Sequence, residues 1–301
     1  MVLKEISSGF SFKLRSKKIG IVFLILAGLV PRVVAQTETP LWKTQPVPPP
    51  LPKADKSGLA PVNQVSLYYA IFNQNGNDPV ILLHGGFASS DEWGFEVPLL
   101  SKTHQVIVVD SRGHGRSTLG SSPLTYELLS SDVLQLMDYL KIKKASIVGW
   151  SDGGIIGMLL AAKYPQRIKK LFAYGANYNL AGYKNEAGDP DAGRRFMARA
   201  EANYRKVSST PDGFAQLKTA LGKMYSSEPD LNPAELKTIK APTVIACGQY
   251  EQFIKAEHFR ELAGLISSAK LVVIPNVSHG GPLQDPVSFH KAVVGLLDTG
   301  K

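Results

Sequence analysis

The stretch Gly149-Trp150-Ser151-Asp152-Gly153 decides the fold, because a predicted strand precedes it and a predicted helix follows it. Lys144 to Val148 is a short run of β-prone residues. Gly154 to Tyr164 is dense in Ala, Leu, Ile and Met and predicts a helix that Pro165 ends. A tight turn between strand and helix, with glycine two residues to either side, strains the middle residue and lifts its side chain out of the sheet. The sequence therefore predicts an exposed Ser151 hydroxyl at a helix N-terminus.

Runs rich in Val, Ile and Leu recur outward from this stretch and alternate with helical patterns. The predicted strands span 65–72, 79–83, 105–109, 144–148, 168–174, 243–247 and 270–274, and the clearest helices span 126–140, 154–164 and 287–297. Continuous apolar runs separated by helices indicate an α/β fold with a mostly parallel sheet. Ligand sites of such sheets lie beyond the carboxyl ends of the strands. His84, Asp110, Ser151 and His279 follow predicted strands, so we expect them at one edge.

Two further motifs follow predicted strands. His84-Gly85-Gly86-Phe87 is a Gly-rich turn, and Asp110-Ser111-Arg112-Gly113-His114-Gly115-Arg116-Ser117 fits the pattern D-x-R-G-x-G-x-S. With the serine turn, these motifs resemble the α/β-hydrolase family from about Val65 to the end of the chain. The resemblance implies an eight-stranded, mostly parallel sheet flanked by helices. It also implies structural roles for His84, Asp110 and Arg112, which would brace loops beneath the site.

The region from Asn177 to Lys240 departs from the strand–helix alternation. Its Arg, aromatic, Leu and Met residues fall at roughly helical spacing. A surface loop of this length without secondary structure would be unusual. We therefore predict a helical cap inserted between strands 6 and 7, with helices that merely pad the sheet as the alternative.

A serine hydroxyl becomes a nucleophile only when a base removes its proton, and a carboxylate must orient that base. In the α/β-hydrolase family the chain order is Ser, acid, His. The resemblance assigns the histidine to His279, which follows the last predicted strand. It assigns the acid to Glu251 in Gly248-Gln249-Tyr250-Glu251, although the family typically has aspartate there. Glu257, in the helix that follows, is the alternative acid.

The same resemblance implies an oxyanion hole made of two backbone N–H groups. One belongs to Asp152, and the other to Gly86 or Phe87. Asp152 and Trp150 are also the predicted substrate-binding residues. We hypothesise that the Asp152 carboxylate recognises a cationic substrate group, as in relatives with a similar Gly-Trp-Ser-Asp-Gly-Gly turn that cleave amino-acid esters. The alternative is that Asp152 pairs with a cap arginine or a backbone N–H.

The N-terminal residues 1–35 have the pattern of a signal peptide. Four basic residues between Lys13 and Lys18 lead into the uncharged run Ile19 to Val30, and Ala35 ends a small-residue cleavage motif. We expect export to a periplasm or out of the cell, with an uncleaved anchor as the alternative. Residues 36–56 form a Pro-rich linker, which we predict to be an extended tether with no fold of its own. The hydrolase domain then spans residues 57–301.

The composition of the 301 residues, 44% hydrophobic and 20% charged, is typical of a globular enzyme. The predicted leader carries five of the nine net positive charges, so the remaining charge is too mild to argue for nucleic acid binding. Cys247 is the sole cysteine, which excludes an internal disulfide and favours a buried bystander. No metal or organic cofactor is implied, because no cluster has ligand spacing.

These features predict a serine hydrolase that cleaves a small ester, thioester or activated amide. Ser151 would attack the carbonyl carbon, His279 would carry the proton and Glu251 would orient His279. The nearest alternative is hydrolysis of a C–C bond in a β-diketone-like substrate, or perhydrolysis without a cofactor, on the same three residues. A non-catalytic binding protein on this scaffold is disfavoured by the complete set.

Overall fold

A computed structural model of the chain describes residues 39–185 and 188–299. The predicted signal peptide, residues 1–35, lies outside the described residues. Among the helices of these two ranges, none combines the length and the apolar character needed to cross a bilayer.

Eight strands form one sheet in the order β1-β2-β4-β3-β5-β6-β7-β8. They are β1 (Lys56–Val62), β2 (Val65–Phe72), β3 (Val80–Leu83), β4 (Val106–Val109), β5 (Ala145–Trp150), β6 (Ile168–Tyr174), β7 (Thr243–Gly248) and β8 (Ala269–Ile274). β2 pairs antiparallel with both β1 and β4, and the five pairings from β4 to β8 are parallel. The predicted mostly parallel eight-stranded sheet is confirmed. Its first strand had no clear signal, because Gly58 and Pro61 interrupt an edge strand that is mostly exposed.

Nine α-helices connect and flank the strands in the described ranges. They are α1 (Val97–Leu100), α2 (Tyr126–Tyr139), α3 (Asp152–Lys163), α4 (Pro190–Val207), α5 (Phe214–Tyr225), α6 (Pro233–Leu236), α7 (Ala256–Leu265), α8 (Gly281–Gln284) and α9 (Pro286–Leu297). Alternate residues of the buried strands enter two different apolar clusters, as the pleat requires. One cluster contains side chains of α2, α3 and α7, and the other contains those of α1 and α9. The sheet is therefore covered on both faces.

The helical insertion between β6 and β7 is present where the sequence predicted it, as α4, α5 and α6. Helix α5 buries one face, formed by Phe214, Leu217, Leu221 and Met224. The ring of Phe214 lies 6.2 Å from that of Phe87, in the turn that follows β3. Because this turn lies at the carboxyl edge of the sheet, α5 covers that edge and is more than padding on a sheet face.

The Pro-rich segment is extended after a short 3₁₀ turn at Leu41–Lys43, but it is not a free tether. Residues 39–55 belong to the same compact unit as the sheet, so this unit begins before Ser57. Every second residue from Trp42 to Pro48 is half-buried, which is the pattern of an extended chain lying on a surface. An extended Pro-rich backbone makes no internal hydrogen bonds, so beyond the turn at Leu41–Lys43 its carbonyl groups remain available to donors on the domain. The expectation that this segment lacks a place in the fold is corrected accordingly.

Candidate active site

Ser151 lies between β5 and α3 with φ 54° and ψ −117°. Few non-glycine residues adopt a positive φ, and here the turn imposes it. A Cβ at Gly149 would overlap the backbone of Gly153, and a Cβ at Gly153 would overlap the carbonyl of Leu83. Both glycines are therefore needed for β5, α3 and β3 to approach this closely. The structure therefore has the strained turn between strand and helix that the sequence predicted at Ser151.

His279 and Glu251 are brought together from the loops that follow β8 and β7. The imidazole Nδ1 lies 2.9 Å and 3.0 Å from the two carboxylate oxygens, so Nδ1–H donates to the carboxylate and Nε2 is left to act as a base. The backbone N–H of Phe253 donates to the same carboxylate at 2.9 Å, and its ring lies edge-on to the imidazole at 4.9 Å. Glu251 is only 7% exposed. The alternative acid, Glu257, pairs instead with Arg260 on α7.

Gly175 allows the imidazole to sit close to the end of β6. Its φ is +62°, and a Cβ there would lie 2.8 Å from the imidazole Cε1 of His279 and 3.6 Å from a carboxylate oxygen of Glu251. The N–H of Ser151 donates to the carbonyl of Tyr174, the residue before Gly175, at 2.8 Å. The serine turn and the acid–histidine pair therefore meet at the carboxyl end of β6.

Trp150 does not have the predicted place at a substrate. It is 7% exposed and packs in the cluster beneath the sheet, with its ring 6.4 Å from that of Trp93. Its indole Nε1–H donates to the backbone carbonyl of His279 at 2.8 Å. Strand alternation explains the difference, because Trp150 and Ser151 are consecutive and their side chains point in opposite directions. Trp150 therefore supports the histidine loop.

The turn after β3 lies against the serine. A Cβ at Gly85 would lie 3.1 Å from the Cβ of Ser151, and Phe87 has a positive φ of 62°. Asp152 is the first residue of α3, where backbone N–H groups have no partner within the helix. The three residues predicted to supply oxyanion donors, Gly86, Phe87 and Asp152, thus lie on the two backbone segments adjoining Ser151.

Two tyrosine hydroxyls bind the Asp152 carboxylate. Tyr126 on α2 donates to Oδ1 at 2.8 Å, and Tyr225 on α5 donates to Oδ2 at 2.6 Å. Among the described residues, no ion pair includes Asp152. Its carboxylate therefore contacts tyrosine hydroxyls and not a cap arginine, the alternative expected from the sequence. Burial raises the pKa of Asp152, while the two hydrogen bonds oppose the shift. Burial and the adjacent carboxylate raise the pKa of both tyrosines well above the usual value, so both remain donors.

The motif after β4 braces the site from below. Asp110 accepts from the backbone N–H groups of Ser90 at 2.7 Å and Arg116 at 2.8 Å. Arg112 forms a buried two-bond ion pair with Asp132 of α2, at 2.7 Å and 2.6 Å. A bidentate ion pair fixes the relative geometry of its two side chains. The Arg112–Asp132 pair and the contacts of Asp110 therefore hold the loop after β4 against its neighbours.

The other histidines near the site are held in structural contacts. His84 donates from Nδ1 to the carbonyl of Gly85 and accepts at Nε2 from the N–H of Ser111, and burial lowers its pKa. Burial also lowers the pKa of His114 to about 3. His258 accepts from the backbone N–H of Tyr178 at 3.1 Å and stacks on that ring. Both ring nitrogens of His84 and the Nε2 of His258 are therefore engaged by backbone groups.

Cys247 is buried near the end of β7, and burial raises the pKa of its thiol to about 12. A thiol with this pKa stays protonated and unreactive at neutral pH. Within residues 39–185 and 188–299, no group of three His, Cys, Asp or Glu side chains is arranged to hold a metal ion.

The chain is similar to a family model and to named hydrolases. A family model described as the α/β-hydrolase fold matches residues 78–213, which include the serine turn and the motifs after β3 and β4. The serine hydrolase BPHL of Homo sapiens is 28% identical over 254 residues, which are 80% of this chain and 86% of that protein. The 3-oxoadipate enol-lactonase 2 of Acinetobacter baylyi is 25% identical over 262 residues, covering 77% and 93% of the two chains.

A solved structure extends the similarity to the whole fold. The enol-lactonase from Burkholderia xenovorans LB400 superposes with a TM-score of 0.62 at 29% identity, over 79% of this chain and 99% of that chain. The superposition therefore reaches both sides of the helical insertion.

Proposed function

Because the chain belongs to the α/β-hydrolase fold family and its named relatives are hydrolases, we propose that it cleaves a small carboxylic ester, thioester or activated amide through an acyl-enzyme on Ser151. The observation that carries this proposal is the contact of 2.9 Å between His279 Nδ1 and Glu251. That contact orients a base in the loop after β8, beside the strained serine turn. The lactone named for two relatives is a cyclic ester, which fits the proposed bond class.

The reaction follows from these groups. His279 Nε2 accepts the hydroxyl proton of Ser151 as Oγ forms a bond to the substrate carbonyl carbon. Glu251 stabilises the imidazolium that results. The proton then passes to the departing oxygen, sulfur or nitrogen, and the bond between that atom and the acyl carbon breaks. Water attacks the acyl-enzyme by the same route, and the serine hydroxyl is restored.

Charge on the carbonyl oxygen needs donors that are already in place. The N–H of Asp152 is one, at the positive end of α3. The second is the N–H of Gly86 or Phe87 in the turn that adjoins Ser151. Removing one such donor typically costs about 10²- to 10³-fold in kcat, so these backbone groups carry a substantial part of the proposed rate.

Hydrolysis of a graded series of p-nitrophenyl esters tests the proposal. The wild-type chain is expected to show saturable turnover with a preferred acyl length, and Ser151→Ala is expected to lose at least about 10³-fold in kcat. Cleavage of a β-diketone-like substrate, with no cleavage of any ester in the series, would contradict ester hydrolysis and indicate C–C bond hydrolysis on the same residues.

We also propose that Asp152 selects substrates with a cationic group near the acyl carbon. Its carboxylate is buried one residue from Ser151, and the two tyrosine hydroxyls occupy only two of about four acceptor positions. A buried carboxylate without a cationic partner is costly, and a substrate ammonium would supply that partner. We expect an α-amino ester to exceed its des-amino analogue in kcat/KM by about tenfold, and Asp152→Asn to remove the preference. Equal kcat/KM for the two esters would exclude this role.

Export is proposed from residues 1–35 and rests on their pattern alone. Fractionation of expressing cells, with N-terminal sequencing of the product, tests it. We expect a chain that begins at Gln36 outside the cytoplasm, and an intact leader would contradict cleavage.

A further inference from the structure

The Pro-rich segment from Thr39 to Asp55, here called the strap, contacts the loops that carry Glu251 and His279. It passes from these loops to the helical insertion and on to the edge of the sheet, where the N–H of Asp55 donates to the carbonyl of Ile71. No step of the proposed reaction uses the strap, so its contacts need a separate account.

Gln284 joins the strap to the histidine loop. Its side-chain Nε2 donates to the strap carbonyl of Thr44 at 2.9 Å and lies 3.3 Å from that of Trp42. Its Oε1 accepts from the backbone N–H of Ser278 at 2.7 Å. Ser278 directly precedes His279, and Gln284 is only 8% exposed. One amide group therefore binds the strap on one side and the residue before the histidine on the other.

Trp42 makes the corresponding contact with the acid loop. Its indole stacks on the ring of Tyr250, with centroids 4.8 Å apart and an angle of 21° between the planes. Tyr250 directly precedes Glu251. Stacked aromatic pairs contribute orientation as well as burial. Tyr250, which precedes the acid, thus contacts the strap directly. Ser278, which precedes the histidine, contacts it through the Gln284 side chain.

The strap also binds the helical insertion. Arg199 on α4 donates to the carbonyl of Pro46 at 2.9 Å and pairs with Glu92 of the loop after β3. The side chain of Gln45 donates to the carbonyl of Ala192, also on α4, at 2.8 Å. Because the strap binds the two loops and α4 at once, it links the insertion to the acid–histidine pair.

We propose that the strap positions Glu251 and His279 for proton transfer, with Trp42 and Gln284 as the positioning residues. The inference rests on the proposed function, since it assigns the strap a role in the same reaction. Contacts within the domain, such as that of Trp150 with His279, already hold these loops, and the strap adds contacts at the residues directly before the acid and the histidine. A displacement of about 1 Å in a reacting group can cost about 10²-fold in rate. We therefore expect removal of the strap contacts to lower the reaction rate while the domain remains folded.

The test measures the rate at which a fluorophosphonate acylates Ser151 in the full chain, together with kcat and KM for the preferred ester. The variants are Trp42→Ala and Gln284→Leu, with Trp42→Phe as the conservative rescue. Val47→Ala is the matched control, because Val47 lies in the strap and is 71% exposed. All rates are compared at 25 °C after the melting temperature of each variant is recorded. Trp42→Ala removes an outer contact, so it stays informative if the buried Gln284→Leu fails to fold.

We expect Trp42→Ala and Gln284→Leu to slow acylation and lower kcat by about 10- to 100-fold with KM nearly unchanged. Trp42→Phe should recover most of the rate, and Val47→Ala should match the wild type. Folded variants that react within about twofold of the wild type would overturn the inference alone. A wild-type chain whose serine does not react would instead overturn the proposed function, and the inference with it.

Discussion

Glu251 stands where the α/β-hydrolase family typically has aspartate, and it still reaches the histidine. The extra methylene is accommodated because the N–H of Phe253 binds one carboxylate oxygen and Gly175 leaves room for the ring. Two oxygens at nearly equal distance from Nδ1 hold the imidazole in one tautomer. The acid is thus defined by the nitrogen it faces, and the length of its side chain is secondary.

Glu251→Gln tests this role, because an amide can present its N–H to the imidazole and stabilise the wrong tautomer. We expect kcat to fall by roughly 10³- to 10⁴-fold with little change in the melting temperature. Glu257→Gln is the matched control, since Glu257 is exposed and should give wild-type kcat. A large loss for Glu257→Gln with none for Glu251→Gln would reassign the acid.

The individual site residues differ in how far the sequence could predict them. Ser151, Glu251 and His279 each follow a predicted strand, so sheet geometry alone brings their loops to one edge. The partners of Asp152 carried no such signal, because Tyr126 and Tyr225 lie on helices 26 and 73 residues away. The role of Trp150 was predicted wrongly for a similar reason, since the pentapeptide does not reveal which side chains point beneath the sheet.

At the scale of elements, the close approach of β5, α3 and β3 depends on glycine. Gly153→Ala is expected to destabilise the fold by about 3 kcal/mol, because the added Cβ meets backbone atoms of β3 that cannot move independently of the sheet. Thermal or denaturant unfolding of the variant measures this loss. A stability equal to that of the wild type would show that β3 and α3 can separate at little cost.

Gly295 in α9 is the matched control for this prediction. It lies within a helix, and a Cβ there would meet no atom within 4 Å. Gly295→Ala is expected to stabilise the chain by about 0.5–1 kcal/mol, because alanine loses less backbone entropy on folding. Destabilisation by Gly295→Ala would mean that helix propensity does not govern this position.

On the scale of the whole molecule, the pair His290–Glu96 ties α9 to the segment before α1, at 2.9 Å. The hydrogen bond that His290 donates to the Glu96 carboxylate raises the pKa of His290, and burial raises the pKa of Glu96 despite the nearby histidine. A raised histidine pKa in the folded state contributes stability below the ordinary value of about 6.5, which is lost as pH rises through the folded value. The raised carboxyl pKa has the same sign, since ionising buried Glu96 costs stability as pH rises.

His290→Gln should therefore lower the melting temperature more at about pH 6 than at about pH 9. We expect the stability difference at the lower pH to stay within about 1 kcal/mol, because His290 is partly exposed to solvent. Melting curves of both proteins at the two pH values measure it. A deficit that is larger at the higher pH would contradict the sign of the histidine shift.

The whole-molecule organisation was predictable only where the sequence pattern is local. Apolar runs predicted seven of the eight strands. For β3 to β7, burial on two faces explains the continuous signal, whereas β8 carries its apolar run although it is mostly exposed. The helical insertion was predicted from the helical spacing of its residues. The position of the strap had no sequence signal, because a Pro-rich extended segment has the same composition whether it is free or bound. Its place depends on carbonyl groups that accept from distant donors such as Gln284 and Arg199.

The central claim is that Ser151 is the nucleophile, activated by His279 and Glu251. The most direct measurement is covalent labelling of the full chain with a fluorophosphonate, followed by mass spectrometry of the peptide that contains residue 151. We predict one label per chain, on Ser151, with labelling abolished in Ser151→Ala and slowed by at least about 10³-fold in His279→Ala. A label on another residue, or equal labelling of Ser151 in wild type and His279→Ala, would contradict it.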